Sequence, residues 1–365
     1  MQPIAFFTKK LWLYFVYLTT DMKKDKETTI YDIARLLNIS SATVSRALKD
    51  DPVVSKKTKK KIFTLAEEMG YRSNHFARNL RSQKTNMIGV IIPRVNSVFM
   101  SSVIAGIEKV VNEAGYTLII SQSSESLQKE IANVNTMFNN RVDGLLASVA
   151  YDTEDATHYG LFLKKKIPVI FFDRVPGNQG CTIVIDNYKA AYEATKHLLL
   201  QGSRRIVHIT ASSKSNVYAD RLAGYRQALS DHQVPFREEL VLTNNLSQEA
   251  GTDAANAILQ MAVLPDGVFV SNDSCAVGCL LRLKQAGIKI PEDIAIVGFN
   301  NDAVSTVVEP NLTTVNYPGY EMGAVAARNL VNHLAGLHTI ETTNTIILRS
   351  ELIIRASSIR KTEGK

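Results

Sequence analysis

Three short segments near the start of the chain carry apolar residues at helical spacing. Thr29 and Asp32 have the spacing of a capping box and predict the start of a first helix. Asn38 suits a tight turn, after which Ser40 can cap a second helix, and a third is expected from near Ser55. The positions predicted to face inward are Ile30, Ile33, Ala34, Leu37, Val44, Ala47, Leu48, Ile62, Leu65, Ala66 and Met69. Two short helices across a tight turn, braced by a third, predict a helix-turn-helix unit.

From residue 86 onward, short apolar runs alternate with longer amphipathic stretches. The runs typical of buried strands include Ile88–Pro93, Thr117–Ser121, Gly144–Val149, Val169–Asp173, Ile206–Thr210, Gly267–Ser271 and Ala295–Phe299. The amphipathic stretches include 101–114, 187–201, 219–232 and 320–334. Regular alternation of this kind predicts parallel sheets with helices on both faces. The length of this part favours two α/β domains over one.

The positive charge of the chain is concentrated in the helix-turn-helix segment. Residues 22–84 contain fifteen Lys and Arg against seven Asp and Glu, whereas the whole chain has a net charge of only +7. The later part is therefore slightly acidic. This asymmetry favours a polyanionic partner for the first domain alone, although a solvated basic face would give the same charge count.

The first twenty-one residues fit neither pattern. Leu11 to Leu18 form a short apolar run after Lys9 and Lys10, like the core of a signal peptide. The run is too short to span a bilayer, and no small-residue cleavage site follows it. We interpret the segment as an N-terminal extension produced by a start codon placed too early, with Met22 the natural first residue. A membrane tether is the alternative interpretation.

Composition and motifs argue against several other functions. Three cysteines, Cys181, Cys275 and Cys279, are too few for a disulfide framework and fit a reducing cytoplasm. No metal site and no cofactor are expected, because no further ligands stand near Cys275 and Cys279. A phosphate-binding glycine loop, a G-x-S-x-G elbow and an H-E-x-x-H helix are all lacking, so an enzyme is not expected.

The second predicted helix is expected to enter the major groove of DNA. Arg46 can bind O6 and N7 of a guanine, and Ala42 can contact a thymine methyl group. The complete predicted major-groove set is Ser41, Ala42, Ser45 and Arg46. Phosphate contacts are expected from Tyr31, Ser40, Thr43, Ser55, Lys57, Thr58 and the neighbouring lysines 56, 59, 60 and 61. The competing interpretation is a three-helix bundle that does not bind DNA.

Polar side chains follow many of the predicted strands of the body. In open α/β sheets, ligands bind at the carboxyl ends of the strands. The side chains expected there are Asn96, Phe99, Gln122, Ser123, Ser148, Asp173, Arg174, Arg221, Asn272, Asp273, Asn300 and Asn301. Amides, carboxylates, a guanidinium and an aromatic ring suit a polyhydroxylated ligand. Each residue could instead be a turn former or a helix cap.

The head resembles a known family of regulators. Residues 29–48, TIYDIARLLNISSATVSRAL, together with Val54-Ser55, Gly70-Tyr71 and Asn74-x-x-Ala77-x-x-Leu80, are similar to the lactose-repressor (LacI/GalR) family. The resemblance continues to residue 357 and implies a hinge helix that forms when two subunits bind an operator. It implies that Leu80 wedges into the minor groove, flanked by Asn74, His75, Ala77, Arg78 and Arg81. Ser73 stands where the family usually has proline.

For the body, the resemblance implies two lobes like those of periplasmic sugar-binding proteins, with the effector between them. The implied effector contacts are Phe99, Asp173, Arg221, Asn272, Asp273 and Asn300. Asn300 stands where many members have Asp, and Leu246 where several have a stacking aromatic residue. These departures favour an effector that is larger than a simple hexose, charged, or not a sugar.

The expected fold is therefore an α-helical helix-turn-helix head and hinge followed by a two-lobed, periplasmic-binding-protein-like α/β body with parallel sheets. The expected boundaries are 1–27 for the extension, 28–72 for the head, 73–85 for the hinge, 86–357 for the body and 358–365 for the tail. The body divides into 86–186 plus 316–343 and 187–315 plus 344–357. The expected function is a cytoplasmic, homodimeric transcription repressor that binds a near-palindromic operator and a carbohydrate effector. The rivals are a secreted or membrane-tethered binding protein, an enzyme, and a DNA-binding protein that has lost its effector.

Overall fold

The computed structural model describes residues 28–71, 84–177, 180–340 and 345–360. The chain divides into two compact units, 1–83 and 84–365. The expected extension 1–27 lies outside the described residues, and so do the predicted minor-groove contacts Asn74, His75, Ala77, Arg78, Leu80 and Arg81.

The first unit contains the predicted helices, α1 (Ile30–Leu37), α2 (Ser41–Leu48) and α3 (Lys56–Glu68). Asp32 accepts hydrogen bonds from the backbone and hydroxyl of Thr29, which confirms the capping box. Asn38 adopts the left-handed conformation between α1 and α2. The small core of this unit consists of Ile33, Ala34, Val44, Ala47, Val54, Ile62 and Ala66. The other apolar residues predicted to face inward are only partly buried around this core.

The second unit contains two six-stranded sheets, which confirms the predicted two-lobed α/β body. The first sheet consists of β1 (Met87–Ile92), β2 (Thr117–Gln122), β3 (Gly144–Ala147), β4 (Val169–Phe172), β5 (Cys181–Ile185) and β11 (Thr345–Leu348), in the order β11-β5-β4-β3-β1-β2. The second consists of β6 (Ile206–Thr210), β7 (Val241–Thr243), β8 (Gly267–Val270), β9 (Ala295–Asn300), β10 (Thr313–Asn316) and β12 (Leu352–Ile353), in the order β12-β10-β9-β8-β6-β7. Neighbouring strands are parallel except for β10 and β12. We call each sheet with its helices the first and the second lobe.

Helices cover both sheets. The first lobe has α4 (Val98–Glu113), α5 (Leu127–Asn139), α6 (Gly160–Lys164) and α12 (Gly319–Leu334), and the second has α7 (Asn187–Leu200), α8 (Asn216–Asp231), α9 (Gln248–Leu259), α10 (Asp273–Gln285) and α11 (Val304–Val307). Short 3-10 helices occur at Thr157–Tyr159 and Glu238–Leu240. The central strands are built from buried and mostly apolar residues, as expected for parallel strands covered on both faces.

The lobe boundary near the end of the chain differs from the expectation. Residues 344–357 were expected in the second lobe, but β11 pairs with β5 at the edge of the first sheet. The chain crosses to the second lobe after β11, where β12 pairs with β10. The expected tail also begins later than residue 358, because Ser358 is fully buried and hydrogen-bonds His197. Arg360 donates to the backbone carbonyl of Pro291.

Helices α4 and α12 pack with their backbones in direct contact. A Cβ atom built on Gly106 would lie 2.0 Å from the carbonyl oxygen of Tyr320, and one on Gly323 would lie 2.0 Å from that of Val103. Both contacts involve backbone atoms, which no rotamer change can move aside. The first lobe therefore depends on the absence of side chains at this crossing.

We expect Gly106→Ala to destabilise the protein by about 3 kcal/mol, because the methyl group must push the two helix backbones apart. Gly160→Ala is the matched control, since a Cβ atom at that helical position meets nothing within 4 Å. Urea unfolding followed by circular dichroism measures the free energy of unfolding of each variant. Equal stabilities for the two variants would contradict the close-packing argument.

Candidate functional site

A cavity of about 300 Å³ lies between the two lobes, at the carboxyl ends of their parallel strands. It is lined by five of the six predicted effector residues, Phe99, Asp173, Arg221, Asn272 and Asn300. Asn96 and Arg174, also expected at strand ends, line it as well. Seven of the twelve strand-end residues predicted from sequence thus come together in space, from two different sheets.

Arg221 lies on α8 with its guanidinium group almost completely buried. Its Nε donates to Asn187 Oδ1 at 2.9 Å, and one terminal nitrogen donates to the carbonyl of Ser271 at 2.9 Å. The guanidinium carbon lies 3.6 Å from the centre of the Phe299 ring. Burial lowers the pKa of Arg221, and the nearby Tyr218 opposes that effect. The group is held rigidly and remains a strong hydrogen-bond donor.

Asp173 immediately follows β4 and adopts a left-handed backbone conformation, with φ 59°. Its carboxylate accepts a hydrogen bond from the Tyr317 hydroxyl at 2.6 Å and another from Ser148 at 3.2 Å. The ring of Tyr317 stacks on Phe99, with centroids 4.2 Å apart. The cavity therefore has an aromatic platform beside a fixed carboxylate.

Asp273 was predicted to contact the effector, but its side chain is fully buried behind the cavity wall. One carboxylate oxygen accepts from Thr314 at 2.7 Å, and the other accepts from the backbone of Asp302 at 2.8 Å. Asp273 is the first residue of α10, and there it ties that helix to β10 and to the segment after β9. Its geometry is that of an internal brace for the second lobe.

Burial raises the pKa of Asp273 to about 7, whereas the hydrogen bond from Thr314 opposes the rise. The folded protein therefore holds a proton that the unfolded chain releases at lower pH, so this group's contribution to stability falls as the pH rises from about 4 to 7. We expect Asp273→Asn to remove this dependence, which amounts to about 4 kcal/mol over the full shift of the pKa and to roughly 3 kcal/mol between pH 5 and pH 8.

The measurement is the free energy of unfolding of wild type and Asp273→Asn at pH 5 and pH 8. The free energy of unfolding of wild type, relative to that of the variant, should fall by roughly 3 kcal/mol from pH 5 to pH 8. Since titration of all other groups is common to both proteins, only the change in the difference is interpreted. An identical pH profile for both would contradict the raised pKa.

Asn272 and Asn300 supply polar groups from the second lobe. Asn272 caps α10, because its Oδ1 accepts a hydrogen bond from the backbone N–H of Cys275 at 3.2 Å. The alternative interpretation as a helix cap is therefore correct for this oxygen. Asn300 has a φ angle of 119°. Its side-chain nitrogen Nδ2 lies 3.5 Å from Oδ2 of Asp302. Burial raises the pKa of Asp302 to about 6. These amide and carboxyl groups can accept hydrogen bonds from ligand hydroxyls.

Several cavity residues were not foreseen, among them Arg94, Glu125, Tyr151, Tyr218 and Tyr317. Arg94, Glu125 and Tyr151 lie in the loops after β1, β2 and β3, so inspecting every strand end would have found them. Tyr317 follows β10, which was not predicted as a strand. Of the polar residues predicted at strand ends, Gln122, Ser123, Ser148 and Asn301 do not line the cavity.

Polar contacts across the cleft join the two lobes. The hydroxyl groups of Tyr151 and Tyr218 lie 3.5 Å apart. Lys214 Nζ lies 3.1 Å from Glu154, and Asn216 accepts from the backbone of Val175 at 3.2 Å. The loops after β3 and β4 therefore contact the start of α8 through polar groups.

In the first unit, every predicted DNA-contacting residue that the structure describes is exposed or half-buried. The side chains of Ser41, Ala42, Ser45 and Arg46 are on the accessible part of α2, and Tyr31 is 69% exposed. Ser40 and Ser55 cap the starts of α2 and α3, and their hydroxyls bond those of Thr43 and Thr58. Capped helix starts with exposed hydroxyls and nearby lysines suit phosphate contacts.

Lys59 is an exception within the predicted basic run. Its ammonium group lies 2.6 Å from the Asp50 carboxylate and also donates to the Asp50 carbonyl at 2.8 Å. The side chain is only 14% exposed. Lys59 therefore fixes the loop between α2 and α3, while Lys57 and Lys60 are exposed.

No helix in the described ranges is long and apolar enough to cross a membrane. Over the same part of the chain, no group of three or more His, Cys, Asp or Glu side chains is arranged to hold a metal ion.

Comparison with known proteins agrees with this architecture. The description "Bacterial regulatory proteins, lacI family" matches residues 29–74, and "Periplasmic binding protein-like domain" matches residues 195–358. Catabolite control protein A of Priestia megaterium is 33% identical over 308 residues, which cover 84% of this chain and 92% of that protein.

Two solved structures extend the comparison. The complex of the transcriptional regulator CelR with cellobiose is 26% identical, with a TM-score of 0.68 over 91% of this chain and all of that chain. The lac repressor dimer bound to operator and the anti-inducer ONPF is 22% identical, with a TM-score of 0.80 over 92% of this chain and all of that chain, and shows the shared fold. The relatives are transcription regulators rather than enzymes, as predicted for this chain. With a DNA-binding head, a two-lobed body and this similarity along most of its length, the chain belongs to the lacI family of bacterial regulatory proteins.

Proposed function

We propose that the protein is a cytoplasmic, dimeric transcription repressor whose affinity for a near-palindromic operator is controlled by a sugar or sugar derivative. The observation that carries this proposal is the polar cavity between the lobes, on the same chain as an exposed recognition helix. CelR, a relative that covers most of this chain, has been solved with cellobiose.

In the proposed DNA complex, α2 enters the major groove with Ser41, Ala42, Ser45 and Arg46 toward the bases. Tyr31, Ser40, Thr43, Ser55, Lys57 and Thr58 contact phosphates and fix the orientation of the head. Leu80 wedges into the minor groove, flanked by the hinge residues named above, and kinks the operator.

In the proposed effector complex, the ligand lies on the platform of Phe99 and Tyr317. Asp173 and Asn300 accept hydrogen bonds from its hydroxyl groups, and Arg221 donates to its oxygens. Binding changes how the lobes close against each other and so the spacing of the paired heads. The coupling is limited by the difference in the ligand's affinity for the two arrangements.

Selection of bound fragments from random duplex DNA tests the DNA-binding part of the proposal. We expect residues 22–365 at moderate salt to recover a short palindrome, since a two-fold dimer reads two equivalent half-sites. The recovered duplex then becomes the probe for a screen of sugars. The opposite result is recovery of unrelated sequences, bound with an affinity that falls steeply with salt. That outcome, both with and without pooled metabolites, would refute sequence-specific regulation.

A further inference from the structure

A cluster of two arginines and one glutamate forms part of the first-lobe wall of the cavity. Arg94 Nε lies 3.2 Å from one carboxylate oxygen of Glu125, and a terminal nitrogen of Arg174 donates to the other oxygen at 2.7 Å. All three residues line the cavity. Two guanidinium groups thus share one carboxylate, and the cluster carries an excess positive charge.

The cluster is built into the lobe rather than lying loosely on its surface. The side chains of Arg174 and Glu125 are each only 10% exposed, and the Arg174 guanidinium lies 4.0 Å from the centre of the Tyr151 ring. Ser124 and Glu125 both have positive φ angles, 53° and 60°, which are uncommon for residues other than glycine. A strained turn therefore holds the carboxylate between the two arginines, as is frequent at ligand-binding sites.

The arginines keep unused hydrogen-bonding capacity. Among the described residues, Arg174 makes a hydrogen bond through only one of its nitrogens, although a guanidinium group has five N–H donors. The terminal nitrogens of Arg94 have no hydrogen-bond partner in the same part of the chain. Arg94 is 37% exposed and both arginines line the cavity, so their remaining N–H donors are available to an oxyanion of the ligand.

The remainder of the cavity has a different chemistry. Asp173 is already bound by Tyr317 and Ser148, and it lies near both Arg174 and Arg221. On the second-lobe side, Asn300 and Asp302 offer amide and carboxyl oxygens. A ligand that satisfies both sides has an oxyanion at one end and several hydroxyl groups at the other.

We propose that the effector is an anionic sugar derivative, a sugar phosphate or a sugar acid, whose anionic group binds Arg94 and Arg174. This inference rests on the proposed function, because it names the effector class of the same cavity. Planar guanidinium groups bind phosphate and carboxylate oxygens in the same bidentate geometry, so the two ligand sources share one recognition chemistry.

Calorimetry and thermal denaturation of the full chain at constant ionic strength test the inference. The probes are common hexoses and disaccharides, each beside its 6-phosphate and its uronic or aldonic acid, with inorganic phosphate as the smallest anion. We expect at least one anionic derivative to bind about ten-fold or more tightly than its neutral parent, as one charge-assisted contact provides. A phosphate preference and a carboxylate preference then identify which source is used.

Two variants connect that preference to the cluster. The Arg94 side chain is 37% exposed. Arg94→Gln should lower the affinity for the anion about ten-fold and leave the affinity for the neutral parent unchanged. Glu125→Gln removes the shared anion and should strengthen binding of the same anion. Arg328→Gln, at an exposed position on α12 that does not line the cavity, is the matched control and should change neither affinity.

The outcomes separate this inference from the proposed function. Anions that bind no better than their neutral parents, or an Arg94→Gln variant that loses affinity for both equally, would overturn the anionic class. A protein that binds its operator and responds only to neutral sugars overturns the anionic class alone. If ligands bind in the cavity but none changes operator affinity, the proposed effector control is wrong.

Discussion

Arg221→Ala is expected to abolish the effect of ligand on operator binding while leaving operator affinity without ligand within about two-fold of wild type. The guanidinium group is fixed by Asn187 and by the carbonyl of Ser271, and it lines the cavity between the lobes. Its removal deletes a charge-assisted hydrogen bond to the ligand. We expect a loss of at least about 100-fold in ligand affinity, since such bonds contribute about 1.5–3 kcal/mol and the neighbouring polar groups lose their partner.

Fluorescence anisotropy of labelled operator, titrated with protein at fixed ligand concentrations, measures both quantities in one experiment. Arg226→Ala is the control, because Arg226 lies on the same helix but packs on Phe236 outside the cavity. Arg221→Lys keeps a charge with less disturbance of the buried contacts, and we expect it to lose most of the response as well. A normal ligand response in both Arg221 variants would show that the effector binds elsewhere.

The helices of the head could be predicted because their signals are local. Thr29, Ser40 and Ser55 each begin a helix with a side chain that bonds the first turn, and the apolar periodicity needs no information from distant residues. Lys59 shows the limit of that reasoning. Its ion pair with Asp50 joins residues nine positions apart, and a run of lysines in sequence does not reveal which one is used internally.

In the body, most of the buried strands and the edge strand β2 could be predicted, whereas the edge strands β11 and β12 could not. Val169–Phe172 is a continuous apolar run, whereas Thr345–Leu348 alternates between exposed and half-buried positions and Leu352–Ile353 is only two residues long. Such short segments become strands because a neighbour supplies hydrogen bonds. The missed β11 also caused the incorrect lobe boundary, because β11 pairs with β5, a strand far away in sequence.

The cavity was predicted in outline because the ends of parallel strands meet at one edge. Asp173 and Asn300 follow this rule and line the cavity, but Asp273 follows it and points behind the wall. A strand-end position does not specify which side of the following helix a side chain takes. The Tyr151–Tyr218 contact could not be predicted, since it exists only where the two lobes meet.

Arg46→Ala is expected to weaken binding to the selected operator by about 1–3 kcal/mol per half-site while leaving binding to unrelated duplex DNA within about two-fold. Arg46 is exposed on α2, in the last turn of the helix, so its removal should not disturb the core around Val44 and Ala47. The expected loss is specific because a guanidinium that bridges O6 and N7 of guanine distinguishes that base pair from the other three.

Lys57→Ala provides the contrasting variant, because Lys57 is exposed on α3 and is expected to contact a phosphate. It should weaken operator and unrelated DNA alike and reduce the dependence of log affinity on log salt by about one. Arg46→Ala should instead relax sequence preference at one position of each half-site, which repeated selection with the variant would reveal. If Arg46→Ala weakened both DNAs equally and kept the wild-type sequence preference, Arg46 would be a phosphate contact. The base-reading residues of α2 would then be confined to Ser41, Ala42 and Ser45, which offer hydroxyl and methyl contacts but no bidentate grip on guanine.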